Sequence, residues 1–197
     1  ILNKRVLNPI SLLILMSIAM PIAFNTWSAM LNNFVVEKAA FTGVEIGILQ
    51  SLREVPGFLS FTLIFVLLII KEQTFAVFSL ALLGLGVCLT GFFPTVYGLY
   101  FTTIVMSIGF HYFEAVKQSL SLQWLSKEEA PIVLGRLLAV GSLTSLIVYG
   151  FLWMLLEFFQ LPYWINFVIA GGICILLAIV MYFGFPSFPS KVEQNQN

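Results

Sequence analysis

Apolar residues run in six long blocks, at positions 10–31, 46–70, 74–90, 96–118, 132–156 and 163–183, with short polar breaks between them. A helix needs about 20 apolar residues to cross the hydrocarbon core of a bilayer. The pattern therefore predicts an all-α protein with six transmembrane helices, the third of them short. The breaks at 71–73, 91–95 and 157–162 leave room only to reverse direction, so successive helices are expected to be antiparallel neighbours. Polar positions inside the blocks are clustered. Ser17, Pro21, Asn25, Ser28 and Asn32 fall on one helical face of the first block. Tyr100, Thr103, Ser107, His111, Glu114, Gln118 and Ser121 do the same in the fourth. Gln50, Arg53, Glu54, Gly57 and Ser60 form a broader stripe in the second, and the third and sixth blocks contain no charged residue.

Composition sharpens this reading. Hydrophobic residues make up 60% of the 197 positions and charged ones 9%, against roughly a quarter charged in a soluble domain. The chain reads as an integral membrane protein whose partners include the lipid bilayer. Zero net charge argues against a nucleic-acid partner. Cys88 and Cys174 each lie in an apolar block and read as packing residues. The chain has no aspartate and a single histidine, His111. A hydrolytic zinc site normally takes three protein ligands, which this inventory supplies poorly, and no Gly-x-Ser-x-Gly turn marks a serine nucleophile. The chain is not expected to be an enzyme, and no metal or cofactor is implied. The first block is too long for a signal-peptide core. Ile1 at the start and a polar tail at 187–197 read as ends that continue into something longer.

Placing both termini inside puts Lys4, Arg5, Lys71, Lys117, Lys127, Arg136 and Lys191 at or near the cytoplasmic face, with Lys38 alone outside and Arg53 within a span. That bias follows the positive-inside rule and suits an inner or plasma membrane. Trp27, Tyr97, Tyr100, Trp124, Tyr163 and Trp164 near the span ends fit an interfacial aromatic belt. Gly135, Ala139 and Ser142 in the fifth span, and Gly171-Gly172 in the sixth, read as surfaces for close helix contact.

The first and fourth spans carry the longest polar stripes and the third and sixth the least polarity, as if a three-helix unit were used twice. Repeats of this kind are typical of secondary transporters, whose sites lie where the polar members converge. With these six spans, the strings Gly43-Val44-Glu45-Ile46-Gly47-Ile48-Leu49-Gln50, Gly109-Phe110-His111-Tyr112-Phe113-Glu114 and Leu134-Gly135-Arg136 give a chain that resembles the amino-terminal half of a major facilitator superfamily transporter. The resemblance covers essentially the whole chain. It implies that the first and fourth helices line a solute path, the second and fifth face another half, and the third and sixth lie outermost. The glycine-rich, arginine-bearing motif of that family between helices two and three is absent; the loop here is Lys71-Glu72-Gln73. The expected layout is a six-helix transmembrane domain over 1–186, with 187–197 as a polar cytoplasmic tail or the start of a central loop. A second six-helix half, from the same chain continued or a homodimer, is the expected partner.

Ionisable groups at membrane depth are costly and mark functional candidates. Arg53 lies roughly 10 Å below the outer end of its span at 1.5 Å per residue, at a depth similar to Asn25. It either holds an anionic solute group or locks two helices by pairing with a carboxylate or carbonyls. Glu54 follows directly, and neighbours on a helix point about 100° apart, so the two are not expected to neutralise each other. Pro56-Gly57 offers a kink. His111 and Glu114 share a face in the inner half of the fourth span, away from the layer of Arg53. They either couple protons or, in the case of Glu114, pair with Lys117 or Arg136. The resulting expectation is alternating-access transport of a small solute, proton- or ion-coupled, with Asn25, Gln50, Arg53 and Glu54 at the solute and His111 and Glu114 at the proton. The rival expectation is a non-transporting scaffold subunit or a permease core that needs a partner.

Overall fold

In the computed structural model, which describes residues 7–189, seven α-helices and a short 3₁₀ segment carry nearly all of the chain: α1 (Pro9–Ala39), α2 (Gly43–Phe58), the 3₁₀ turn Leu59–Thr62, α3 (Leu63–Leu67), α4 (Glu72–Thr90), α5 (Val96–Trp124), α6 (Ala130–Glu157) and α7 (Tyr163–Gly184). No strand occurs among the described residues. Lys4, Arg5, Lys191 and most of the tail expected at 187–197 lie outside them. The helix ends follow local chemistry. Asn8 caps α1 by accepting from the Ser11 amide at 2.8 Å, with Pro9 as the first helical residue. Thr42 and Glu45 form a reciprocal capping box at the start of α2, satisfying two amides that have no helical partner. The Thr42 hydroxyl and amide hold the Glu45 carboxyl below its ordinary range. Thr95 caps α5 through the Gly98 amide.

Four helices, α1, α4, α6 and α7, are long and apolar enough to cross a membrane. Helix α5 has the length but carries the long polar stripe. The second apolar block is not the single helix expected over 46–70. Pro56 has no amide to donate to the turn before it, so the helix gives way at Phe58 to a 3₁₀ turn and then to the five-residue α3. Helix α1 continues to Ala39, well past the predicted end at 31, and stops where Ala40 turns left-handed at φ 53°.

Packing departs from chain order. Helix α4 sits at the centre, held between α5 and α7; α1 packs on α6 and α7, and α2 packs on α5. The expectation that successive helices are neighbours holds for α4 with α5 and fails elsewhere: α6 makes little contact with α5 or α7. Glycine explains the pairing. A Cβ on Gly109 of α5 would lie 2.3 Å from the Leu83 amide nitrogen, and one on Gly86 of α4 would lie 2.4 Å from that of Met106. On the other side of α4, a Cβ on Gly171 would lie 2.3 Å from the Gly84 carbonyl oxygen. Backbone meets backbone there, and α7 is drawn to α4 rather than to its predecessor. Cys88 and Cys174 are free and fill the same seam, their thiols directed at the Val168 and Leu80 carbonyls. Gly171 thus makes the close contact expected of it, whereas Gly135, Ala139 and Ser142 of α6 are exposed, and a Cβ on Gly135 would meet nothing within 4 Å. The helix face that α6 buries instead runs through Val133, Leu137 and Leu152.

Trp27, expected in the interfacial belt, is fully buried and stacks near Phe24 at 6.2 Å. Its place in α1 faces the bundle, because α1 continues three turns beyond it. Tyr163 and Trp164 remain at a helix end, Tyr163 donating to Glu37 at 3.0 Å.

Gly109→Leu should lower thermal stability of the detergent-purified protein by about 3 kcal/mol or more, because the obstruction is backbone rather than a movable side chain. Gly135→Ala, with nothing within 4 Å, should leave it unchanged or raise it by up to about 1 kcal/mol through helix propensity.

Candidate functional site

Because α5 is fixed to α4 and α6 is fixed to α1, a gap opens where α5 and α6 would otherwise meet. It holds a cavity of about 510 Å³ bounded by α1, α5 and α6, within the range of small-molecule sites. Helix α1 contributes Ser17, Met20, Pro21, Phe24 and Asn25. Helix α5 contributes Phe110, Glu114, Lys117, Gln118 and Ser121, and α6 contributes Leu138, Gly141, Ser142 and Ser145 among others. Each wall carries both polar and apolar groups. Phe24 and Phe110 stack at 4.2 Å and 14°, forming a flat aromatic surface beside the polar groups.

Asn25 donates from Nδ2 to the Ser145 hydroxyl at 2.7 Å, and that hydroxyl donates onward to the Gly141 carbonyl at 2.8 Å. The pair closes one edge of the cavity and ties α1 to α6. Glu114 and Lys117, three residues apart on α5, approach to 3.9 Å between Oε1 and Nζ. That is the ion pair the sequence left open for Glu114, formed with Lys117; Arg136 is exposed on α6. The contact is too long for a hydrogen bond. Glu114 Oε1 and the Ser17 hydroxyl are both buried without any hydrogen-bond partner. Lys117 also lies 5.8 Å from the Phe113 ring.

The remaining predicted residues form a second group, on the seam between α2 and α5. Gln50, Arg53 and Glu54 do not line the cavity. Arg53 and Glu54, expected to diverge, bind each other through Nε at 3.0 Å and Nη2 at 2.7 Å. The guanidinium arm is long enough to fold around the helix, so backbone direction did not decide the contact. His111 turns from Glu114 toward α2, where its Nε2 lies 3.9 Å from Glu54 Oε2. It fits there because Gly57 has no side chain; a Cβ would lie 2.7 Å from the imidazole. The Ser107 hydroxyl donates to the Arg53 carbonyl beside the Pro56 bend, and Thr62 and Tyr112 share a hydrogen bond at 2.6 Å. Ser107 lies level with Arg53 and His111 level with Gly57, one turn further in, as the depth expected for it requires; His111 and Glu54 approach through their side chains.

Sequence reasoning placed Asn25 and Glu114 correctly on inward faces but passed over the α6 wall. Its signal was present, since Leu134, Leu138, Gly141, Ser142 and Ser145 recur at helical spacing. A second cleft of about 550 Å³, between α1, α6 and α7, is lined almost wholly by aliphatic side chains with Thr26, Thr144 and Asn166. It lacks the convergent charged groups of the first. Among the described residues, no three His, Cys, Asp or Glu side chains come together as a metal site. No known family model matches the chain, and no curated protein or solved structure matches it significantly.

Asn25→Ala and Ser145→Ala should each weaken the α1–α6 contact. In a double-mutant cycle read by thermal unfolding, their coupling should be about 0.6 kcal/mol, the average for interhelical hydrogen bonds in membranes. Zero coupling would show that the bond does not hold the cavity edge.

Proposed function

We propose that the chain moves a small solute across a membrane by alternating access, as one half of a major-facilitator-like bundle, and is not an enzyme. The observation that carries this reading is the cavity between α1, α5 and α6. Its lining gathers Asn25, Glu114, Lys117 and Gln118 in a protein whose outer surface carries many apolar side chains, such as Phe58, Leu68, Ile69 and Leu146. Polar groups at membrane depth persist where they face a solute path or a partner.

The pattern of helix contacts supports the half-bundle. Taking α1, α2 with α3, and α4 as one unit and α5, α6 and α7 as the next, the contact of α1 with α6 corresponds to that of α5 with α2. The contact of α4 with α5 corresponds to that of α7 with α1, and α4 meets α7 across the centre. Six crossings follow if α2, the 3₁₀ turn and α3 together make one bent span and α5 another. The uncovered faces of α2 and α6, the two helices with fewest neighbours, are where a second six-helix half sits, whether continued in the chain or contributed by another copy. In this arrangement both termini are cytoplasmic and the membrane is the inner or plasma membrane.

Asn25 contacts solute in the cavity. Gln50, Arg53 and Glu54 contribute from α2 when the halves close on each other. Glu114 and His111 carry the coupling proton, each beside a group that responds to its charge: Lys117 for Glu114, and Glu54 for His111.

In proteoliposomes, Glu114→Gln should abolish the pH-gradient dependence of uptake, read as the ratio of uptake with and without the gradient so that a change in solute affinity cancels. Uptake that keeps its full proton dependence in this variant would remove Glu114 from the coupling role.

A further inference from the structure

We propose that the cavity between α1, α5 and α6 binds a small zwitterion, in its simplest form an α-amino acid with an apolar side chain. The proposal takes its purpose from the transport reading, but it concerns binding alone.

Among the described residues, Glu114 and Lys117 are the only charged ones lining this cavity, which thus presents one carboxylate and one ammonium. A finished Lys–carboxylate pair closes to about 2.7–2.9 Å; this one stands at 3.9 Å. Both groups therefore keep hydrogen-bonding capacity that the protein leaves unused. Glu114 Oε1 accepts no hydrogen bond, and the rest of that side chain is 43% exposed, while Lys117 is 18% exposed. The Ser17 hydroxyl, 1% exposed and without a partner, adds a third group in the same lining. Unpaired polar atoms in so apolar a setting cost about 1–3 kcal/mol each and more when charged, which favours an occupant that satisfies them.

The charge arrangement selects that occupant. A simple anion attracted to Lys117 meets the Glu114 carboxylate, and a simple cation attracted to Glu114 meets the Lys117 ammonium. A solute with an ammonium and a carboxylate on neighbouring atoms satisfies both, its ammonium donating to Glu114 and its carboxylate accepting from Lys117. The stacked Phe24 and Phe110 rings, with Met20, Leu134 and Leu138, then receive an apolar side chain.

The test titrates the purified protein with L-leucine, with isopentylamine, which lacks the carboxylate, and with 4-methylpentanoate, which lacks the ammonium, and reads the melting temperature. A ligand that binds the native state raises it, by an amount that grows with the logarithm of ligand concentration over Kd. Leucine should stabilise the protein, and each truncated analogue should bind at least about tenfold more weakly, the worth of one charge-assisted hydrogen bond. Lys117→Met should bring leucine down to the level of isopentylamine, and Glu114→Gln should bring it down to the level of 4-methylpentanoate. Equal binding of leucine and either truncated analogue overturns the assignment, as does absence of stabilisation by leucine and phenylalanine alike. The analogue series runs on the unaltered protein, so it decides the matter whether or not the variants fold. The two readings fail separately. Proteoliposomes of protein that binds leucine but accumulates no solute keep the site and remove the transporter. Uptake of a sugar or monocarboxylate by protein that ignores leucine keeps the transporter and removes the zwitterion.

Discussion

The rest of the structure depends on backbone-to-backbone contact on both sides of α4. Between apolar helices in lipid the hydrophobic effect gives no drive to associate, so close approach and dispersion must supply it, and small residues permit that approach. Gly86 and Gly109 let α4 and α5 touch, and Gly84 and Gly171 do the same for α4 and α7. With both flanks of α4 taken, α1 fills the remaining side of the core with Leu12, Leu13, Met16 and Trp27. That leaves α2 and α6 with one principal neighbour each. The cavity follows from the same constraint. Its walls belong to two rigidly held helices, α1 and α5, and to one held from a single side, α6.

Much of this could be read from the chain, and what could not has a definite physical origin. Block lengths located the helices, and polar stripes put Asn25 and Glu114 on inward faces. Periodicity says which face of a helix is buried but not which helix buries it. That choice is made by pairs such as Gly84 and Gly171, 87 positions apart, and an isolated glycine in an apolar run looks the same whether it meets a backbone or nothing. Gly135 and Gly109 are indistinguishable by composition; one faces open space and the other is pressed against Leu83. Side-chain reach was the second gap. Treating Arg53 and Glu54 as vectors from the helix axis put them about 100° apart, yet a flexible guanidinium arm closes that angle readily.

The two ionic groups of the bundle differ in how completely their polar atoms are satisfied, although His111 stands as far from Glu54 as Lys117 does from Glu114, at 3.9 Å. On the α2–α5 seam, Arg53 spends two nitrogens on Glu54, the Ser107 hydroxyl takes the Arg53 carbonyl, and Tyr112 is bonded to Thr62. This group fastens a bent helix to its neighbour. Around Glu114 and Lys117 the opposite holds: the pair is long, one oxygen is orphaned, and the nearby Ser17 hydroxyl has no partner. Sets of polar groups left half-satisfied in a protein interior are costly, and that cost is the ground for the binding site proposed there.

Helix α5 carries both groups, and its far end is tied down by a third. Glu72, at the start of α4, accepts from Ser119 at 3.0 Å and Gln123 at 2.6 Å. Its neighbour Gln73 donates to the Pro186 carbonyl and accepts from the Phe188 amide, holding the segment after α7 as a strand would. Trp124 packs edge-on to Phe188 at 5.6 Å. Glu72 and Gln73, the first residues of α4, thus bind the ends of α4 and α5 and the stretch after α7 into one unit. Helix α6 stands outside this unit: it packs chiefly on α1 and is hydrogen-bonded to it through Asn25 and Ser145. The cavity therefore lies between one helix of the glycine seam, α5, and the α1–α6 pair beside it.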